Sequence, residues 1–192
     1  QKEMKIGSGA EMLLSLIEKQ IQKLTKSSNK EIVFNNSNFN SSLVPVKYRK
    51  IMKDIILQLV KNSIDHGIES KEDRILMGKP VKGYIHIENE IIGDRLYIYY
   101  EDDGRGLKID EIKKVALKKK IINEVELRSE EESKFSKLIF VPGLSTAEKV
   151  TFTSGRGVGM DIVKKQIDYL SGEININFEK DKFCKFTLTF PL

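Results

Sequence analysis

Residues 153–164 read Thr-Ser-Gly-Arg-Gly-Val-Gly-Met-Asp-Ile-Val-Lys, so three glycines alternate with other residues and then run straight into an amphipathic helix. Glycine at alternate positions lets backbone N–H groups approach an anion closely. The helix that follows presents unpaired N–H groups and the positive end of its dipole. The segment reads as a phosphate cradle, although a glycine-rich turn also serves as a plain helix start.

Two further motifs point to the same chemistry. Glu101-Asp102-Asp103-Gly104-Arg105-Gly106 follows a strand-like run, Arg95 to Tyr100. An Asp at a strand end can accept a hydrogen bond from an exocyclic amine, and in an apolar pocket that bond discriminates strongly against bases lacking the amine. The plainer reading is a solvated turn. Gln58-Leu59-Val60-Lys61-Asn62-Ser63-Ile64-Asp65-His66-Gly67 reads as the end of a helix. Positions 58, 62, 65 and 66 share one face of it and form a polar stripe opposite an apolar one.

Around these motifs the hydrophobic spacing predicts alternating elements. Leu13, Leu16, Ile17, Ile21 and Leu24 recur at helical spacing over residues 10–26. A short strand is expected over 31–34 and a loop over 35–42. A long helix is expected over 46–65, with Tyr48, Ile51, Met52, Ile55, Ile56, Leu59 and Val60 on its buried stripe and its end near Gly67. Residues 71–77 suggest another turn or two of helix. Strands are expected over 81–92 and 95–101, joined at Gly93-Asp94, with His86 as a sheet residue. Residues 110–119 and 158–170 read as helices, 120–135 as charged and irregular, and 134–140 as a short helix stopped by Pro142-Gly143. Residues 143–154 read as a Ser/Thr-rich loop, and 173–178 with 183–190 as a closing hairpin. The expected fold is α/β, a two-layer α+β sandwich in which a mixed, mostly antiparallel sheet carries helices on one face.

Composition narrows the function classes. Hydrophobic residues make up 40% of the 192 positions and charged residues 32%, enough for a core and a well-solvated surface. No apolar run approaches a membrane span and no signal peptide is visible, so direct membrane insertion is not expected. The net charge is +5, with Lys113, Lys114, Lys118, Lys119 and Lys120 clustered. No aromatic residues interleave these lysines as base stacking would require, so nucleic acid is not expected as a partner. A solvated helix face that draws in an anionic nucleotide fits them better. The lone Cys184 cannot form an internal disulfide, which fits a reducing compartment. The chain begins at Gln1 and reads as a fragment or a mature piece.

In this order the motifs resemble the GHKL ATPase superfamily of sensor histidine kinases, type II topoisomerases, MutL and ninety-kilodalton heat-shock chaperones. Asn-Ser-Ile-Asp-His-Gly-Ile-Glu (62–69), Asp-Asp-Gly-Arg-Gly-Leu (102–107), residues 139–151 with Pro-Gly-Leu-Ser-Thr-Ala-Glu, and Ser-Gly-Arg-Gly-Val-Gly-Met-Asp (154–161) are most similar to the ATP-binding kinase domain of CheA-type chemotaxis histidine kinases. The resemblance covers about residues 47–192 and implies a Bergerat-type ATP-binding fold over 28–192 with a lid at about 120–154. Residues 1–27 would form an N-terminal helix at the junction with a dimerisation segment.

What the resemblance implies can be carried over residue by residue. Asn62 would hold Mg²⁺, which accepts oxygen ligands and keeps several waters. Asp102 would receive the adenine amine, with Asp103 as the alternative acceptor, and Gly104 and Gly106 would let the backbone bend around the base. Ser154, Gly155, Arg156, Gly157, Val158, Gly159 and Met160 would line the phosphates. Asp65 and His66 would lie at the nucleotide, with His66 touching a phosphate or orienting the metal site; a His at a helix end equally suits the helix dipole. Ser145 and Thr146 would reach the phosphate tail from the lid, or are ordinary turn residues.

Three departures stand out. Gln58 occupies the position where such kinases usually carry a His, and a glutamine amide is no base near neutral pH. Lys61 replaces the usual Arg, keeping charge but losing bidentate geometry. Asp181-Lys182-Phe183-Cys184 replaces a Gly-Thr-Gly turn, so no glycine turn is expected there. The implied cofactors are ATP and Mg²⁺. The implied partners are a histidine phosphotransfer domain, a coupling protein, chemoreceptors and a response regulator, in a dimeric cytoplasmic parent at receptor arrays beside the inner membrane. A nucleotide-binding module with weakened catalysis is the alternative. The Pro-Gly-Leu-Ser-Thr-Ala-Glu segment argues against a topoisomerase-type ATPase.

Overall fold

The computed structural model describes residues 8–128, 132–144 and 159–192. Helix α1 (Ser8–Ser28) turns Leu13, Ile17 and Ile21 into the core, as their spacing predicts. Strand β1 (Ile32–Asn35) and two 3₁₀ turns (Ser41–Leu43 and Val46–Tyr48) lead into α2 (Arg49–Asn62). Its stripe of Met52, Ile55, Ile56, Leu59 and Val60 is removed from solvent, each large side chain contributing roughly 1.5–3 kcal/mol. The predicted single helix over 46–65 is therefore divided, opening as a 3₁₀ turn and closing as a π turn over Ser63–Gly67. Helix α3 (Lys71–Leu76) is capped by Ser70, whose hydroxyl accepts from the Asp73 amide at 3.1 Å.

The sheet has strand order β1-β2-β3-β5-β4, formed by β1, β2 (Gly83–Ile92), β3 (Arg95–Asp102), β4 (Glu173–Glu179) and β5 (Phe183–Pro191). Among the described residues only the β1–β2 pairing is parallel. Period-two alternation sends Leu96, Ile98, Tyr100 and Asp102 of β3 to one face, with Ile85 and Ile87 of β2 and Phe186, Leu188 and Phe190 of β5. Helices α1, α2 and α7 (Met160–Tyr169) cover that face and share one apolar core with it. Tyr97 and Tyr99, stacked with centroids 6.3 Å apart, lie on the opposite face of β3. Tyr48, ahead of α2, donates its hydroxyl proton to the Pro191 carbonyl at 2.9 Å, joining positions 143 residues apart.

A second, smaller apolar cluster gathers Ile109, Ile112 and Ala116 of α4 (Ile109–Lys118) with Phe135 and Leu144. The span 120–135, expected to be irregular, holds α5 (Glu124–Leu127) and the start of α6 (Glu132–Ser136). Asn123 caps α5 reciprocally with Glu126, which explains a helix within so charged a stretch. Lys114, Lys118, Lys119 and Lys120 are exposed, while Lys113 places its ammonium 4.4 Å from the Phe135 ring centroid. Among the described residues no helix is long and apolar enough to cross a membrane.

Candidate nucleotide-binding site

Asp102 ends the inward row of β3, and only 3% of it is exposed. Ser63 donates its hydroxyl proton to Oδ2 at 2.5 Å, and the Gly104 amide donates to Oδ1 at 3.0 Å. Burial pushes the carboxyl up to about 6 even though both hydrogen bonds pull it down, and the nearby Asp103 and Glu69 charges add to the rise. At neutral pH the group is an ionised, acceptor-only carboxylate in an apolar setting. Cys184 lies directly across from it on β5, its thiol held well above the ordinary range by burial.

The neighbouring Asp103 is engaged elsewhere. Arg74 reaches its Oδ2 at 2.6 Å and the Tyr84 amide its Oδ1 at 2.8 Å. Arg74 is itself buried, pairs with buried Glu69 at 3.0 Å and donates to the Pro80 carbonyl at 2.6 Å. Lys79 completes the cluster, bonding Glu69 at 2.7 Å and the carbonyls of Asp103 and Gly104 at 2.9 Å each. The turn after Asp102 is thus gripped through both side chain and backbone. Sequence reasoning missed Glu69, Arg74 and Lys79. Glu69 and Arg74 stand five apart across a helix start, which no simple periodicity couples.

Gly104 and Gly106 are required by close approach. A Cβ on Gly104 would lie 2.5 Å from the backbone C and O of Gly67. Gly106 has φ +68°, and a Cβ there would lie 2.6 Å from the Glu179 carbonyl. Gly104→Ala is expected to force this turn away from Gly67 and cost about 1–3 kcal/mol of stability, read as a lower urea midpoint with unchanged slope. The β4–β5 turn meets the same loop, the Asp181 amide donating to the Arg105 carbonyl at 2.9 Å. Asp181 adopts φ +61°, so the turn forms without glycine, an aspartate taking the left-handed conformation there. Asp tolerates the left-handed region better than most residues.

Gln58 and Asn62 share a face as predicted, Gln58 Nε2 donating to Asn62 Oδ1 at 3.1 Å. Asn62 Nδ2 in turn donates to Met160 Sδ at 2.8 Å, bringing the end of α2 to the start of α7. Among the described residues no side chain caps that helix at Gly159, and a helix N-terminus of this kind suits an anion. Asp65 and His66 are exposed on the π turn. The wider π turn carries Ser63 inward, so one helix end offers Asn62 to α7 and Ser63 to β3. Nothing marked Ser63 in advance beyond a small polar residue at the border of the apolar face. Lys30 donates to the carbonyls of Ile64 and Ile68 at 2.5 and 2.7 Å, fastening this end from the α1–β1 connection. Ser145, Thr146, Ser154, Gly155, Arg156, Gly157 and Val158 lie outside the described residues.

Comparison with known proteins agrees with this geometry. The sequence pattern of the family described as "Histidine kinase-, DNA gyrase B-, and HSP90-like ATPase" matches residues 48–192. The chemotaxis protein CheA of Bacillus subtilis is 34% identical over 182 residues, 95% of this chain and 27% of that protein. The gliding motility regulatory protein of Myxococcus xanthus is 39% identical over 140 residues, 73% of this chain and 18% of that protein. The chain therefore spans only about a fifth to a quarter of the length of these curated relatives. In fold, it is similar to the catalytic domain of the histidine kinase ThkA, with a TM-score of 0.55 at 19% identity, covering 96% of this chain and 92% of that one. The histidine kinase domain of a blue-light activated kinase from Erythrobacter litoralis gives a TM-score of 0.51 at 12% identity, covering 94% and 61%. A buried carboxylate at a strand end, glycines pressed against it and an Asn-bearing helix end beside a second helix N-terminus accompany a match over three quarters of the sequence: this chain belongs to the histidine kinase-, DNA gyrase B-, and HSP90-like ATPase family and is homologous to the catalytic domains of CheA-type kinases.

Proposed function

We propose that the chain is the ATP-binding catalytic domain of a chemotaxis-type protein-histidine kinase. It would pass the γ-phosphoryl group of ATP to a histidine on a separate phosphotransfer domain. The observation that carries this reading is Asp102, a buried carboxylate held as an acceptor while Asp103 is committed to Arg74. Such a group suits the N6 amine of adenine, with Gly104 and Gly106 bending the chain past the base. Gly159 and Met160, with the preceding Ser154 to Val158, would hold the phosphates at the start of α7, and Ser145 and Thr146 would approach them from the lid.

Asn62 fits Mg²⁺ by chemistry: its Oδ1 is a half-buried neutral oxygen with one lone pair used by Gln58. When bound, the ion would neutralise phosphate charge. Exposed His66 and Asp65 would lie at the rim beside it. In the transfer an imidazole nitrogen lone pair forms the N–P bond as the bond from phosphorus to the bridging oxygen breaks and ADP leaves. Positioning and electrostatics dominate such a step. A neutral imidazole attacks without first losing a proton, so Gln58 would slow the reaction rather than abolish it.

The parent protein would be a cytoplasmic dimer at receptor arrays, working with a coupling protein, chemoreceptors and a response regulator. Residues 28–192 would form the kinase domain and 1–27 the junction with a dimerisation segment. Helix α1 also belongs to the packed core. A second reading, a nucleotide-binding module with weakened catalysis, is favoured by Gln58, whose amide is tied to Asn62. Incubating the chain with labelled ATP, Mg²⁺ and a purified phosphotransfer domain decides between them: label on histidine supports the kinase, and nucleotide binding without label supports the module. Gln58→His is expected to raise the transfer rate, within a ceiling of roughly 10²–10⁴-fold, without changing ATP affinity. An unchanged rate would remove the role assigned to position 58.

A further inference from the structure

Three buried side chains form a hydrogen-bonded line that ends at Asp102. The Tyr100 hydroxyl donates to Ser63 Oγ at 2.9 Å, and Ser63 donates to Asp102 Oδ2 at 2.5 Å. Tyr100 and Asp102 stand two apart on β3 and so share its inner face, while Ser63 comes from the π turn after α2. Relative exposures of 0%, 3% and 3% leave little water to substitute for any member.

Elementary chemistry fixes the direction of this line. Burial and the neighbouring Asp102 charge hold the Tyr100 phenol well above its ordinary range, so it keeps its proton. That proton is directed at the serine oxygen, and the serine has only one proton of its own to give. The serine proton therefore points at Asp102. A carboxylate that receives it is acceptor-only toward a bound base, whereas a protonated carboxyl offers a donor. Adenine carries an amine donor at its 6-position, and guanine carries a carbonyl acceptor there. The direction of the line thus decides which purine the same carboxyl group can satisfy.

We infer that Ser63, oriented by Tyr100, is a specificity-determining positioning residue that holds Asp102 as an acceptor and so selects a 6-amino over a 6-oxo purine nucleotide. The inference rests on the reading of Asp102 as the purine acceptor. Other ionisable groups beside Asp102 do not supply this control. Asp103 and Glu69 are held by Arg74 and Lys79, and Cys184 is a buried thiol.

The test is calorimetric titration of ATP and of GTP, each with Mg²⁺, into the full chain carrying Ser63→Ala, Ser63→Thr, Ser63→Cys, Tyr100→Phe or Asp102→Asn. Ser63→Ala is expected to weaken ATP binding about tenfold or more and to narrow the ATP-to-GTP preference by a similar factor. It should also move the pH at which ATP affinity falls upward. Ser63→Thr should restore both, and Tyr100→Phe should give a smaller change in the same direction. Ser63→Cys keeps the volume with a weaker donor and takes the place of the alanine variant if that one does not fold. Loss of ATP binding in Asp102→Asn together with an unchanged ATP-to-GTP preference in the Ser63 variants would overturn this inference alone. Wild-type affinity in Asp102→Asn would overturn the reading of Asp102 itself.

Discussion

Replacing Asp102 by Asn is expected to weaken ATP binding by roughly 10²–10³-fold, the combined effect of a lost charge-assisted hydrogen bond and a misplaced donor. The amide that replaces the carboxylate turns N–H groups toward Ser63, Gly104 or the incoming amine, all of which are donors here. Acidification should act in the same sense. As pH falls through about 6, Asp102 takes up a proton and its acceptor character toward the adenine amine is lost, so affinity is expected to decline. Fold stability moves the other way. The folded-state value lies above the ordinary 3.8, so the stability associated with this group is fully present below that value and is lost as pH rises through about 6. At neutrality the buried charge costs about 3 kcal/mol. Urea unfolding of wild type and Asp102→Asn should therefore differ most near neutrality, the gap closing toward pH 4. A wild-type affinity that is flat across this range would contradict the assignment.

Arg74→Met is expected to lower the stability of the whole chain by about 3 kcal/mol, and to weaken nucleotide binding beyond what the stability loss explains. Removing one partner of a buried ion pair leaves the other charge unpaired. Glu69, 2% exposed, would keep Lys79 as a partner, and Asp103, 31% exposed, can partly rehydrate. Those two escapes place the effect at the lower end for buried pairs. Loosening Asp103 frees the turn that positions Asp102 and Gly104, which is why affinity should fall as well. Exposed pairs such as Lys108–Glu111, at 2.8 Å, should contribute less than about 1 kcal/mol when removed. Urea unfolding with constant slope measures the first effect, and titration of the folded variant measures the second.

The layers of the fold were legible because they rest on periodicity. Leu96, Ile98 and Tyr100 alternate, Met52, Ile55, Ile56, Leu59 and Val60 recur at helical spacing, and Gly93-Asp94 breaks the chain between two strands. Gly104 and Asp102 of the candidate site were picked out because a motif carried them. The remainder of the site depends on departures from regular geometry. A reading in α-helical steps has no means of finding the π turn, so Ser63 was missed although it touches Asp102. The Glu69, Arg74 and Lys79 cluster is assembled by tertiary approach, with no local pattern to announce it. Helix α5 was obscured by charge density, yet Asn123 and Glu126 carried its capping signal. Asp181 took a backbone conformation usually reserved for glycine, which a composition-based view of that turn discounts.

The strand order has a consequence for how the domain is made. β3 sits between β2 and β5, but β5 is the last of these five strands to be translated. At roughly 5–20 residues per second, a ribosome leaves one edge of β3 bare for several seconds after β2 and β3 have emerged. Ile98 and Tyr100 wait that long for Leu188 and Phe186 to arrive beside them. The hydrophobic layer cannot close on the nascent chain vectorially from the front, and the clasp from Tyr48 to Pro191 forms only after β5 has been synthesised. Newborn copies thus pass through an interval in which an open strand edge invites pairing with other chains, a period when holding chaperones would matter most.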